Sequence, residues 1–166
     1  TGEPVRPAAV LVAMLAFLTS AAGMALAYGM HWWQAVHPST YLSSANLIRW
    51  VDPDPGKWLS LTLEGVLAIV IAIVAGVTGA VGFNAWNGWG WTRLAGVGAV
   101  LLNVVAVVLF GWWAIAGTAA AVVGCGLLFL PRVREFFDEF DTHRGARPAA
   151  YRRPQAIFYG RLPRFR

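Results

Sequence analysis

The sequence predicts an all-α integral membrane protein with four transmembrane helices, both termini cytoplasmic, a C-terminal amphipathic helix and an extended tail. Three observations predict it. Hydrophobic residues make up 58% of the chain and charged residues only 13%, where an ordinary soluble domain carries roughly 25% charged residues. Four segments have, or nearly have, the run of about 20 apolar residues that crosses a hydrocarbon layer. The basic residues sort strongly to one side of those segments, as cytoplasmic flanks do.

The transmembrane domain covers residues 1–131. Its first span runs over 8–29, AAVLVAMLAFLTSAAGMALAYG. The flank before it is not rich in Lys or Arg and the run is too long for a simple signal-peptide core, so it reads as a true span. The second covers 59–83. The apolar stretch from 94 to 130 is too long for one span and divides at FGWWAIAG, giving a third helix over 94–111 and a fourth over 114–130. So short a connection makes these two antiparallel neighbours.

With four spans, both termini share a side with the loop FNAWNGWGWTR. That side holds Arg6, Arg93 and the nine arginines from Arg132 onward, against Arg49 and Lys57 on the other. The rule that positive charge stays inside therefore places both termini in the cytoplasm. The tryptophans agree: Trp32, Trp33, Trp50, Trp58, Trp112 and Trp113 fall at the outer ends and Trp86, Trp89 and Trp91 in the inner loop, which is the distribution of interfacial anchors.

Two polar residues stand within spans. Glu64 lies five or six residues into the second helix, a depth of about 8 Å at 1.5 Å per residue, and an acidic residue at the bilayer centre costs about 2.5–3.5 kcal/mol. It is expected to bond to a neighbouring helix, to be protonated, or to carry protons. Asn103, near the middle of the third helix, is expected to form an interhelical hydrogen bond. His31 and His37 invite a metal or haem reading, but they are six apart, Pro38 follows, and no third ligand is obvious beyond Asp52 and Asp54. Cys125 sits in an apolar run and reads as a small packing residue.

The outer loop, 30–58, contains DPDPG, a turn signal. Residues 41–51 before it are expected to form one short interfacial helix capped by Ser43 or Ser44. Gly and Ala recur at spacings of three and four in GVTGAVG, AGVGA and GTAAAVVGCG, which lets helix backbones approach closely. These are no phosphate loops, since GxxxxGK[ST] is missing.

Residues 132–145 form an amphipathic helix. Val133, Phe136, Phe137 and Phe140 share a face while Glu135, Asp138, Glu139 and Asp141 occupy much of the rest. The acidic face does not suit anionic lipid, so the helix is expected to meet a protein partner or the basic tail. That tail, 146–166, carries Pro148, Pro154 and Pro163, which prevent helix. In it Tyr151, Arg152, Arg153, Phe158, Tyr159, Arg161, Arg164, Phe165 and Arg166 interleave charge with aromatic rings. Together with Phe136, Phe137 and Phe140 these are the expected partner or lipid contacts. Anionic lipid accounts for the charge. A protein groove accounts for charge, prolines and rings together, and no RNA-binding fold surrounds them.

An Arg-rich, Lys-poor chain, the stretch GWGWTRLAGVGAVLLN entering the third helix and LLFLPRVREFF closing the fourth resemble small four-helix membrane proteins of actinobacteria. Within that class the chain is similar to accessory subunits surrounding the cytochrome bcc–oxidase supercomplex of the respiratory chain. The resemblance implies a non-catalytic subunit that binds no cofactor or metal itself, with haem and copper held by larger integral membrane partners. The alternative is a small transporter that couples protons through Glu64. Small multidrug exporters, however, carry their carboxylate in the first helix and lack a long tail. No catalytic triad, paired-carboxylate site or cofactor fingerprint is present.

Overall fold

The computed structural model describes residues 4–145, and these contain helix and connecting turns with no strand. The tail contacts expected at Tyr151, Arg152, Arg153, Phe158, Tyr159, Arg161, Arg164, Phe165 and Arg166 lie outside the described residues. Six α-helices follow in order: α1 Ala8–Ala35, α2 Asn46–Val51, α3 Trp58–Trp86, α4 Thr92–Phe110, α5 Ile115–Leu128 and α6 Pro131–Gly145. Three of them, α1, α3 and α4, are long and apolar enough to cross a membrane. There are four if the bent pair Trp112–Leu128 and Pro131–Gly145 counts as one span. Side chains such as Leu26, Leu61, Ile69, Leu94 and Leu101 stand exposed on the flanks, as suits a multi-pass membrane protein, in which lipid replaces water around the bundle.

Helices α1, α3, α4 and α5 form a ring in which each packs on the next and α5 returns to α1. Small residues set how closely α1 can be approached. A methyl group added at Gly117 would lie 3.1 Å from the Ser20 carbonyl, and one at Gly23 would lie 3.1 Å from the Gly117 backbone, so α1 and α5 meet nearly backbone to backbone. The buried residues of α1 recur as Val10, Ala13, Phe17, Ser20, Met24, Ala27 and His31, a single stripe at spacings of three and four.

Helix α1 does not stop at Gly29. It continues for a further turn and a half to Ala35, since one Gly costs only about 1 kcal/mol in a helix interior. Beyond it, Thr40 Oγ1 donates to the Gln34 carbonyl at 2.8 Å and His37 Nδ1 lies 2.8 Å from the Trp33 carbonyl, so groups that a helix end leaves unpaired are met locally. The single helix expected over 41–51 is two pieces, a 3-10 turn at Tyr41–Ser43 and α2. Ser44 turns its hydroxyl back to the Tyr41 carbonyl, and extended Ala45 precedes α2 instead of a serine cap. Asn46 then donates to the Val108 carbonyl at 3.1 Å, docking α2 on the end of α4. At the other end of this loop Asp52 takes the left-handed conformation (φ 50°) that closes α2.

At the terminal end of the bundle the chain bends by 67° between α5 and α6, with Pro131 at the first helical position, where its missing N–H is not needed. The bend carries α6 beneath the bundle. Phe136, Phe137 and Phe140, expected to face a partner or lipid, are instead buried with Val133 against Val10, Ala13, Val81, Ala85 and Leu128 of the chain's own helices. Gly88 makes room, since a methyl group there would fall 2.7 Å from the Phe140 ring. Arg144 locks the arrangement. Its guanidinium donates to the carbonyls of Asn87 and Gly88 just past α3, pairs with Asp141 at 2.9 Å, and stands 3.9 Å over the Trp89 ring. Arg6 stacks at 5.0 Å on Trp86 and 5.9 Å on Phe140. A cation near the C-terminal end of a helix is favoured, and stacking adds to it. Glu135, Asp138, Glu139 and Asp141 remain on the outward face.

Candidate functional site

Two polar clusters sit inside the ring. The deeper centres on Asn103, which is fully buried. Its amide accepts from Ser20 Oγ of α1 at 3.1 Å and donates to Thr78 Oγ1 of α3 at 3.0 Å and to the Ala99 carbonyl of its own helix at 2.8 Å. Thr118 of α5 completes the level, its hydroxyl 3.3 Å from the Asn103 carbonyl and 2.9 Å from that of Ala114. All four helices of the ring thus contribute a polar group, and both side-chain atoms of Asn103 are satisfied. Such bonds contribute about 0.6–2 kcal/mol each in a membrane bundle.

The second cluster lies near the end of the bundle that carries the 36–57 loop. Continuation of α1 past Gly29 puts His31 on its buried stripe, where Nε2 lies 2.7 Å from Glu64 Oε2 of α3. The imidazole has no exposed surface and the Glu64 side chain is 22% exposed. Aromatic rings hold His31 in place, Tyr28 at 5.9 Å and Phe110 edge-on at 5.6 Å. Neither His31 Nδ1 nor Glu64 Oε1 has a hydrogen-bond partner, although both atoms are shielded from solvent. A buried N–H without a partner is costlier and rarer than a bare lone pair, so we assign the imidazole proton to Nε2. A neutral His31 then donates to an ionised Glu64 in a charge-assisted bond.

Glu64 also lines a cleft of about 170 Å³ that opens beside the loop, with Trp32, Ala35, Val36, Tyr41, Pro55, Gly56, Ser60 and Leu61. Burial raises the Tyr41 phenol above its ordinary value; the nearby Ser60 hydroxyl opposes this and the Glu64 charge adds to it. The Tyr41 hydroxyl lies beside Ser60 but outside hydrogen-bond geometry. Ser60 donates instead to the Lys57 carbonyl at 2.8 Å.

Between the two clusters the interior is apolar. Met24, Ala27, Leu67, Ile71, Val74 and Ala106 are all buried in one continuous core. They fill about 16 Å along α1, the 11 residues from Ser20 to His31 at 1.5 Å each.

No protein family, curated protein or solved structure matches this chain.

The structure brings Glu64 together with His31 but not with His37, whose ring lies tilted against Trp33 with centroids 5.2 Å apart. Among the described residues no three His, Cys, Asp or Glu side chains converge as metal ligands would. In the sequence His31 and Glu64 stand apart, one in a loop and one in a span. The spacing that joins them was present, because His31 follows Ala27 by four residues on the buried stripe.

Proposed function

We propose that the chain is a non-catalytic accessory subunit of a larger bacterial membrane assembly, crossing the membrane four times with both termini in the cytoplasm. The observation that carries this reading is the apolar layer between the two polar clusters. A proton-coupled carrier needs a polar route past its carboxylate, whereas here Met24, Ala27, Leu67, Ile71 and Val74 fill the space next to Glu64 and His31. The mid-membrane amide is spent on helix–helix bonds. Bonds and small-residue packing of this kind make a stable bundle, which is what a scaffold subunit requires.

The resemblance described above makes the cytochrome bcc–oxidase supercomplex the assembly proposed. In that setting haem and copper belong to the partners, and the basic tail and anionic lipid serve attachment. The second reading, a proton-coupled transporter acting through Glu64, draws on the His31 pairing beside an open cleft.

Purification of the native protein in mild detergent, followed by mass spectrometry and visible spectroscopy, tests the proposal. Larger membrane subunits in fixed stoichiometry, with haem bands, are the expected result, and a chain lacking residues 146–166 should be lost from that preparation. A full-length chain that purifies alone from native membranes contradicts the accessory reading. Co-purifying subunits without haem would remove the respiratory assignment and leave the accessory role.

A further inference from the structure

The cleft beside Glu64 has a composition that the scaffold role does not use. Its walls are apolar or aromatic at Trp32, Tyr41, Pro55 and Leu61, while Ser60 and Glu64 supply the polar groups. One carboxylate oxygen is committed to His31 and the other, Oε1, has no partner. Tyr41 is 4% exposed, lines the same cleft, and its hydroxyl is also without a partner. A buried polar atom left unbonded costs about 1–3 kcal/mol, more for a charged group, so Glu64 Oε1 holds acceptor capacity that a hydrogen-bond donor relieves, while the Tyr41 hydroxyl can accept or donate.

The charges decide what kind of donor. Lys57, just before α3, is turned to Asp54, and Arg49 is turned to Asn46. His31 carries its proton on the nitrogen that faces Glu64, which leaves the pair with one net negative charge. The indole of Trp32 and the phenol ring of Tyr41 line the cleft, and aromatic rings attract cations. A neutral hydroxyl would satisfy the acceptor but not the charge. A quaternary ammonium would satisfy the charge but not the acceptor.

We infer that the cleft between the 36–57 loop and α3 is a binding site for a primary ammonium group on a short apolar stem, with Glu64 accepting its N–H and Trp32 and Tyr41 flanking it. Such a group has two sources at a membrane surface, a free amine or the headgroup of phosphatidylethanolamine.

Isothermal titration of the full chain in detergent with benzylammonium tests this. Saturable binding is expected, about tenfold weaker in Glu64→Gln, as loss of one charge-assisted bond implies. Gln retains the ability to bond to His31, so the fold is kept. Tyr41→Phe, which keeps the ring, should weaken binding by a smaller factor, and benzyl alcohol and benzyltrimethylammonium should both bind more weakly than benzylammonium to the unmodified protein. Repeating the titration in nanodiscs separates the sources: weaker binding in phosphatidylethanolamine than in phosphatidylcholine identifies the lipid headgroup, and equal binding identifies a free amine. No saturable binding, equal affinity for benzyl alcohol, or an affinity unchanged by Glu64→Gln overturns the site.

Discussion

The two polar clusters of this bundle differ in how completely they are closed. The Asn103 cluster takes one group from each helix of the ring, keeps Ser20, Thr78 and Asn103 fully buried and leaves no Asn103 side-chain atom unbonded. The His31–Glu64 pair joins only α1 and α3, stands beside a cleft, and leaves one atom on each partner unbonded. The first is what a structural network looks like when every member is satisfied. In the second, part of the local stability has been given up in favour of something that arrives from outside. Polarity inside a span is therefore not by itself a sign of function; the unsatisfied remainder is.

Three substitutions sharpen the contrast. Asn103→Ala should have the largest effect, about 2–3 kcal/mol in reversible unfolding from mixed micelles, because it opens a small cavity and strands the Ser20 and Thr78 hydroxyls in a dry interior. His31→Phe should cost less, about 1 kcal/mol, since the Glu64 side chain is 22% exposed and lines a cleft into which the released carboxylate can turn. If the two losses came out equal, the distinction between a sealed and an open cluster would fail. The smallest effect belongs to Tyr41. Its folded-state value is raised, so the native phenol keeps its proton to higher pH than the unfolded one, and the stability this confers is present below about pH 10 and lost as pH rises beyond it. Unfolding measured from pH 8 upward should show that decline in the unmodified protein and a shallower one in Tyr41→Phe.

How much of this was legible beforehand depends on what kind of signal each feature leaves. Glu64 and Asn103 stood out because a polar letter in an apolar run is conspicuous. The partner of Glu64 does not, because Gly29 reads as the end of the first helix and leaves His31 in a loop. In a long apolar segment one glycine is too weak a breaker to outweigh continued packing, and the helix ran on to Ala35. The apolar face of α6 was equally plain from the spacing of Val133, Phe136, Phe137 and Phe140. A hydrophobic stripe says that something covers it, not what. The cover is the end of the chain's own helical bundle, made reachable by a 67° bend and by the space at Gly88. The cleft left no trace in the sequence, since it forms only where the Pro55–Gly56 turn, the Tyr41 turn and α3 meet.

The central claim is that the apolar layer between the two clusters seals the bundle against ions, and proton flux tests it most directly. The full chain is reconstituted in liposomes with a trapped pH-sensitive dye, and a pH step is applied. The account predicts decay of the gradient at the rate of protein-free liposomes, for the unmodified chain and for Glu64→Gln alike. A faster decay in the unmodified chain that Glu64→Gln abolishes would contradict it and make the carboxylate a proton carrier.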